Sequence, residues 1–207
     1  MEKFFCVRLL PGKGQKGPAI GGDRKGEACL VLSGRGAVCS PSCCPDAGAF
    51  IGIGGDSTVI LRDDGGNVLH RYRGMHGEGA GSEFALFPLG RFLCALATGS
   101  DLMVPEHARC LSLAGTDLLL AFLLPGEGEK KAPFEAVART RAAENGMFVI
   151  LAGCSAPPTA FGPDGCDVLP VPGVDGGAEF RLSGDVLSQE GYDQVRRKDL
   201  YYSLTAL

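Results

Sequence analysis

The pattern of apolar and polar positions predicts many short strands and few helices. Apolar or alternating runs of strand length recur along the chain; they lie at residues 4–10, 29–32, 50–53, 57–61, 67–72, 91–97, 117–122, 148–152 and 178–182. Helical spacing is confined to 105–114 and 134–145, and Gly115 and Gly146 suit the positions that follow helix ends. Strands alternating with helices predict an α/β domain, and the excess of strands favours two sheets over one doubly wound sheet.

Glycine shapes the first part of the chain. The sequence has 32 glycines, concentrated in its first 82 residues, and the stretches 11–28 and 33–49 are too rich in glycine, proline and serine to hold a helix. Because too little chain precedes 11–28 to form a domain, we expect one domain over residues 1–207.

Charge and hydropathy exclude several classes of partner. A net charge of −4 and a pI of about 5.4 give no basic surface for nucleic acid or an anionic membrane. The longest apolar runs, such as 118–124, are too short to cross a bilayer, and the N-terminus does not read as a signal peptide. We therefore expect a cytoplasmic protein.

Nine cysteines, an odd number, are expected to be mostly buried thiols, Cys94, Cys110 and Cys154 among them.

Several motifs follow one another in a distinctive order. Residues 57–76 (STVILRDDGGNVLHRYRGMH) read as a hairpin, 90–109 as GRFLCALATGSDLMVPEHAR, 141–145 as RAAEN and 196–201 as RRKDLY. In type and order these segments resemble the carbon–nitrogen hydrolase (nitrilase) superfamily, over roughly residues 50–204. The resemblance implies a four-layer αββα sandwich. Since 11–28 and 34–50 have no helical pattern, the N-terminal helical layer is expected to be reduced.

The resemblance also locates three catalytic positions, and each reads as glycine. The family uses a glutamate as general base, a lysine that stabilises an oxyanion and a cysteine nucleophile. The glutamate position falls on Gly34, the lysine position on Gly74 and the cysteine position on Gly99. Glycine cannot replace a thiolate, a base or a cation, so the resemblance implies that the activity has been lost.

Other residues are candidates for a surviving pocket. Glu83 resembles an accessory glutamate of the family, and is either a structural relic or a ligand-binding group. Asp101 and Arg109 either bind a ligand or stabilise the loop and helix after residue 99. Arg141 and Glu144 are expected to form structural pairs on their helix.

No cofactor or metal site is predicted. Cys39, Cys43 and Cys44 have a spacing that zinc sites use, but a second ligand pair is needed, and the sequence places neither His70, His76 nor His107 beside them.

Three functional hypotheses follow. The first is a catalytically inactive nitrilase-like protein with a binding or scaffolding role, retaining affinity for a small amide or carboxylate. The second is an active carbon–nitrogen hydrolase with a rearranged site that uses Glu83, Asp101 and a nearby cysteine. The third is a structural subunit that pairs with an active homologue. The resemblance implies a homodimer formed through the helices at 105–114 and 134–145.

Overall fold

The fold is built on two mixed β-sheets. The computed structural model describes residues 4–9, 28–33, 49–53, 58–63, 65–77, 80–124, 131–153, 157–172 and 178–187. In chain order the strands of the first sheet are β1 (Phe4–Leu9), β2 (Ala28–Ser33), β3 (Ala49–Ile53), β4 (Val59–Asp63), β5 (Val68–Tyr72), β12 (Val171–Pro172) and β13 (Ala178–Ser183). Those of the second are β6 (Leu86–Leu89), β7 (Phe92–Thr98), β8 (Leu118–Leu123), β9 (Phe148–Gly153), β10 (Thr159–Phe161) and β11 (Asp167–Val168).

Each sheet has three parallel strands flanked by antiparallel ones. The first sheet has the order β12-β13-β1-β2-β3-β4-β5, with β1, β2 and β3 parallel. The second has the order β11-β10-β9-β8-β7-β6, with β7, β8 and β9 parallel. Because loops cluster at the carboxyl ends of parallel strands, these ends are where a site is expected.

The two sheets pack face to face on a shared apolar core. Alternate residues of the central strands of the second sheet point into it, as the two-residue period of a strand requires. On β7 the inward residues are Phe92, Cys94 and Leu96, which pack with Tyr72 of β5 and with Phe180 of β13.

Three helices cover the outer face of the second sheet: α1 (Gly99–Met103), α2 (Pro105–Leu113) and α3 (Lys131–Asn145). The other face of β7 presents Ala95 and Ala97 to them, and α3 presents Ala138 and Ala142. Alanine at these positions lets helix and sheet approach closely. Fully buried leucines such as Leu111 each stabilise this layer by roughly 1.5–3 kcal/mol.

The α/β fold with two sheets and the main helices agrees with the sequence prediction, within a few residues at the element ends. Within the described ranges every helix of α type lies on the second sheet. The segments 11–28 and 34–50, where a further helical layer was expected to be reduced, are almost wholly outside these ranges, and the RRKDLY motif at 196–201 lies outside them as well. None of the described helices has the length and apolarity needed to cross a bilayer.

The cysteines of the second sheet and its helices differ in burial. Cys94 is buried between the sheets, as expected, whereas Cys110 is exposed and the prediction that it packs in the core was wrong. The reason is helical geometry: α2 buries His107, Ala108 and Leu111, and Cys110 lies on another face of that helix. Cys154 lies outside the described residues.

Candidate functional site

The site lies where β5 of one sheet and β7 of the other end. Tyr72 is the last residue of β5 and Thr98 the last of β7. Thr98 has an extended backbone and caps α1: its hydroxyl accepts from the Asp101 amide, and the Asp101 carboxylate accepts from the Thr98 amide. This reciprocal capping box satisfies donors that a helix start would otherwise leave without partners. It fixes Asp101 beside the core.

Asp101 is fully buried, at 0% side-chain exposure, and its carboxylate accepts six hydrogen bonds. Oδ2 accepts from the Tyr72 hydroxyl (2.6 Å), the Thr98 amide (2.8 Å) and the Thr98 hydroxyl (2.7 Å). Oδ1 accepts from the Met75 amide (2.7 Å), the His76 amide (3.1 Å) and His76 Nδ1 (2.9 Å). The carboxylate therefore ties the segment after β5 to the start of α1.

These donors decide the charge of Asp101. Burial raises the pKa of the carboxyl, but hydrogen bonds from Tyr72, Thr98 and His76 stabilise the anion and together lower the pKa to about 2. Burial and the neighbouring carboxylate raise the pKa of Tyr72, so its hydroxyl remains a donor. Since Asp101 is ionised, Nδ1 of His76 must carry the proton that joins them.

A second histidine lies beside the first. His107, in the first half of α2, is 3% exposed, and its ring meets that of His76 edge to face at a centroid distance of 5.6 Å. The Phe84 ring covers it at 5.2 Å. Burial lowers the pKa of His107 more than the Asp101 charge raises it, which favours the neutral imidazole.

Gly74 lies beside this cluster and has no room for a side chain. A Cβ on Gly74 would lie 2.6 Å from Thr98 Oγ1, 3.0 Å from Thr98 Cγ2 and 3.3 Å from Asp101 Oδ2. The first distance is shorter than van der Waals contact, so a side chain at 74 would displace its neighbours. The Gly81 amide holds this backbone by donating to the Gly74 carbonyl at 2.8 Å.

The structure brings some of the sequence-predicted residues together. Gly74 contacts Thr98, and Gly99 follows Thr98 directly as the first, buried residue of α1. Asp101 is the centre of the cluster. Glu83 follows Gly81 by two residues, is exposed, and forms no hydrogen bond or ion pair with a residue of the described ranges. Gly34 lies outside those ranges.

Two arginines, one on α2 and one on α3, connect the helices to one another. Arg109 donates to the Glu144 carbonyl at 2.9 Å and so joins α2 to α3. Arg141 pairs with the Glu144 carboxylate at 2.9 Å, as expected, and donates to the Leu102 carbonyl at 3.1 Å. These contacts hold the three helices in position.

Sequence reasoning did not assign Tyr72, Thr98, His76 or His107 to the site. One signal was present, because threonine followed three residues later by an acid, at Thr98 and Asp101, is typical of a capped helix start. His76 and His107 gave no signal, since they lie on separate elements that only the packing of the sheets brings together.

Comparison with solved structures identifies the fold. An amidase from Nesterenkonia sp. matches with a TM-score of 0.63 and 18% identity, covering 98% of this chain and 96% of the amidase. A cysteine-to-alanine mutant of the Nesterenkonia AN1 amidase, from the nitrilase superfamily, matches with a TM-score of 0.64 and 17% identity, covering 98% and 97%. Neither a protein-family model nor a curated protein matches the sequence. The chain therefore has the fold of nitrilase-superfamily amidases.

Proposed function

We propose that this chain, which has the fold of nitrilase-superfamily amidases, does not catalyse amide hydrolysis and serves in the cytoplasm as a homodimeric binding or scaffolding protein. The proposal rests on the three glycine positions. A mutant of the Nesterenkonia amidase carries a covalent adduct at its active-site cysteine. Here the corresponding position by motif is Gly99, which has no nucleophile.

The contact at Gly74 is the main support. If residue 74 is the lysine position, the first carbon of that side chain would point at Thr98 Oγ1, 2.6 Å away. That direction leads toward the start of α1 and Gly99, as a cation serving a nucleophile there would require. Thr98 and Asp101 occupy this space in the present chain, and the lack of room for a side chain at residue 74 supports the proposal.

A small amide or carboxylate is the ligand that we propose for any surviving pocket. One solved structure is of a cysteine-to-alanine mutant of the Nesterenkonia amidase in complex with butyramide. In this chain the half-buried His76 and the exposed Glu83 are two polar side chains, close in sequence to Gly74, that reach solvent. Both lie on the segment that follows β5 and leads to β6.

The test is ammonia release from acetamide and butyramide, with release of carboxylate as a second readout. The expected result is no turnover above that of the heat-unfolded protein. Turnover that co-purifies with the protein and is lost in Thr98→Val would contradict the proposal, because Thr98 adjoins both glycine positions. Ligand-observed NMR with butyramide and butyrate then asks whether either compound binds the folded chain.

One observation favours an active enzyme as a second candidate. Asp101 holds the His76 ring through Nδ1, which leaves Nε2 of a half-exposed imidazole as a proton acceptor. The version of this hypothesis that uses a nearby cysteine has less support, because Cys94 is buried on the core side of β7 and burial raises its pKa to about 12. Turnover that disappears in His76→Gln while the fold persists would favour this candidate.

A further inference from the structure

His107 is a buried polar side chain with no well-aligned hydrogen bond among the described residues. It is 3% exposed, neither Nδ1 nor Nε2 makes a well-aligned hydrogen bond in the described part of the chain, and the Leu96 backbone makes no more than a weak contact with the ring. Leaving a polar group in this state costs free energy, and such groups in folded proteins nearly always have a partner, which can be an ion or a water molecule. The ring is also fixed, since it packs against Phe84 and His76.

The ring nitrogens belong to a compact set of ligand atoms. One nitrogen of His76, one of His107 and one carboxylate oxygen of Asp101 all lie within 4.8 Å of one another. Asp101 supplies a negative charge and His107 a neutral imidazole, which are the forms that bind metal ions. Two imidazoles with one carboxylate form a ligand set that suits zinc and similar divalent ions.

We propose that His76, Asp101 and His107 bind one divalent transition-metal ion of the zinc type. This inference does not rest on the proposed function, and it departs from the sequence analysis, which predicted no metal site. A metal ion would reach the site from the side of His76, because the His76 side chain is 38% exposed whereas those of Asp101 and His107 are buried.

Binding requires a small contraction of the ligand set and a change of tautomer at His76. Two ligand atoms on a tetrahedral zinc ion lie about 3.4 Å apart. His76 Nδ1 and Asp101 Oδ1, now 2.9 Å apart, must separate slightly, and the largest separation in the set must shorten from its present value of up to 4.8 Å. The ion takes the place of the Nδ1 proton of His76, and solvent returns a proton to Nε2, so that the ring binds the metal as a neutral imidazole. Oδ1 keeps its hydrogen bonds from the Met75 and His76 amides and exchanges one partner for the metal.

The experiment uses the three histidines of the whole chain. In the full-length protein with 15N-labelled histidine, long-range proton–nitrogen spectra resolve the ring nitrogens of His70, His76 and His107 during titration with zinc at pH 7. We expect saturation at one ion per chain, with one ring nitrogen of His76 and one of His107 shifting together and His70 unchanged. His70 is therefore an internal control.

Variants separate this site from adventitious binding. His107→Leu and His76→Gln should each weaken zinc binding at least about tenfold, and His70→Gln should leave it unchanged. Because His107→Leu alters the core, thermal unfolding with EDTA reports whether it folds, and the more exposed His76→Gln gives an independent test. Cobalt(II) spectra identify the ligands: an intense sulfur-to-cobalt band would assign the metal to cysteines. That band as the only saturable signal, or zinc titration without shifts at His76 and His107, would overturn the proposal and leave His107 as a site for buried water.

Discussion

The Tyr72 hydroxyl donates a 2.6 Å hydrogen bond to Oδ2 of Asp101, across the interface between the two sheets. Tyr72 ends β5 and is buried in the core, while Asp101 lies in α1, directly after β7. The acceptor of the Tyr72 hydroxyl is an ionised carboxylate. Hydrogen bonds to a charged acceptor are shorter and stronger than hydrogen bonds to a neutral one.

Replacing this phenol should destabilise the protein without creating a large cavity. Tyr72→Phe removes one of the six donors to Asp101, and we expect the free energy of unfolding to fall by about 1.5–3 kcal/mol. Urea denaturation followed by circular dichroism measures the change. Thr140→Val is the control, since Thr140 bonds its own helix at an exposed position and should change stability by less than about 0.5 kcal/mol.

The pair should also be coupled. In a cycle of Tyr72→Phe, Asp101→Asn and the double variant, the double should be less destabilised than the sum of the singles by about 1 kcal/mol or more. The physical reason is that the neutral amide introduced by Asp101→Asn can no longer act as an anionic acceptor for the phenol. Additive effects would show that the 2.6 Å contact contributes nothing specific.

Gly74 should tolerate no side chain. Gly74→Ala places its Cβ against Thr98, and we expect a loss of about 1–3 kcal/mol in the free energy of unfolding. Thr98→Ala alone removes the α1 cap, at about 1 kcal/mol. Thr98→Ala also removes Oγ1 and Cγ2, the two atoms that would lie closest to the new Cβ. The double variant should therefore lose less stability than the sum of the two single variants. If Gly74→Ala is as stable as the parent, the packing argument for the vacated lysine position is wrong.

The thiols should differ sharply in reactivity. Cys94 is buried, and burial raises its pKa to about 12, whereas Cys110 is exposed on α2. A raised pKa leaves Cys94 protonated from neutral pH to about pH 10, and only the thiolate is a nucleophile. Iodoacetamide at about pH 8, followed by peptide mass spectrometry, should therefore modify Cys110 in the folded protein and Cys94 only after unfolding. Comparable native rates would contradict the buried position of Cys94.

The proposed homodimer makes a prediction about α2. Leu113, at the end of this helix, is 47% exposed, and an apolar side chain there suits a covered interface. Leu113→Glu should lower the mass measured by light scattering from two chains to one at micromolar concentration. Val186→Glu introduces the same charge at another exposed apolar position, outside α2 and α3, and should leave the dimer intact. A monomeric parent protein would end this part of the proposal.

The strands and long helices could be predicted because their patterns are local. The six residues of β8 (Leu118–Leu123) are apolar throughout, and α3 has a clear helical stripe. The short helix α1 was missed, since five residues beginning with Gly99 and Ser100 carry little helical signal of their own. Its stability comes from Thr98 and from the packing of Leu102 against the second sheet, which are features of context.

The candidate site was predictable only in part, for the same reason. Motif order brought attention to Gly74, Gly99 and Asp101, which the structure places at one end of the core. No role could be assigned to His107 from the sequence, because its neighbour His76 follows a strand of the other sheet and is distant from it in the chain. A contact between elements that are distant in the chain leaves no periodicity to detect.

The six hydrogen bonds to Asp101 also bear on how this end of the molecule moves. The amides of Met75 and His76 on one side and of Thr98 on the other share a single acceptor group. If either segment moves away, the buried Asp101 carboxylate loses some of its hydrogen-bond donors. We therefore expect the two segments to open together rather than separately. The Asp101 carboxylate therefore couples the opening of the two segments. Hydrogen exchange at these three amides should proceed through one shared opening, with a common free energy. Local unfolding at the end of β5 should be accompanied by unfolding of α1.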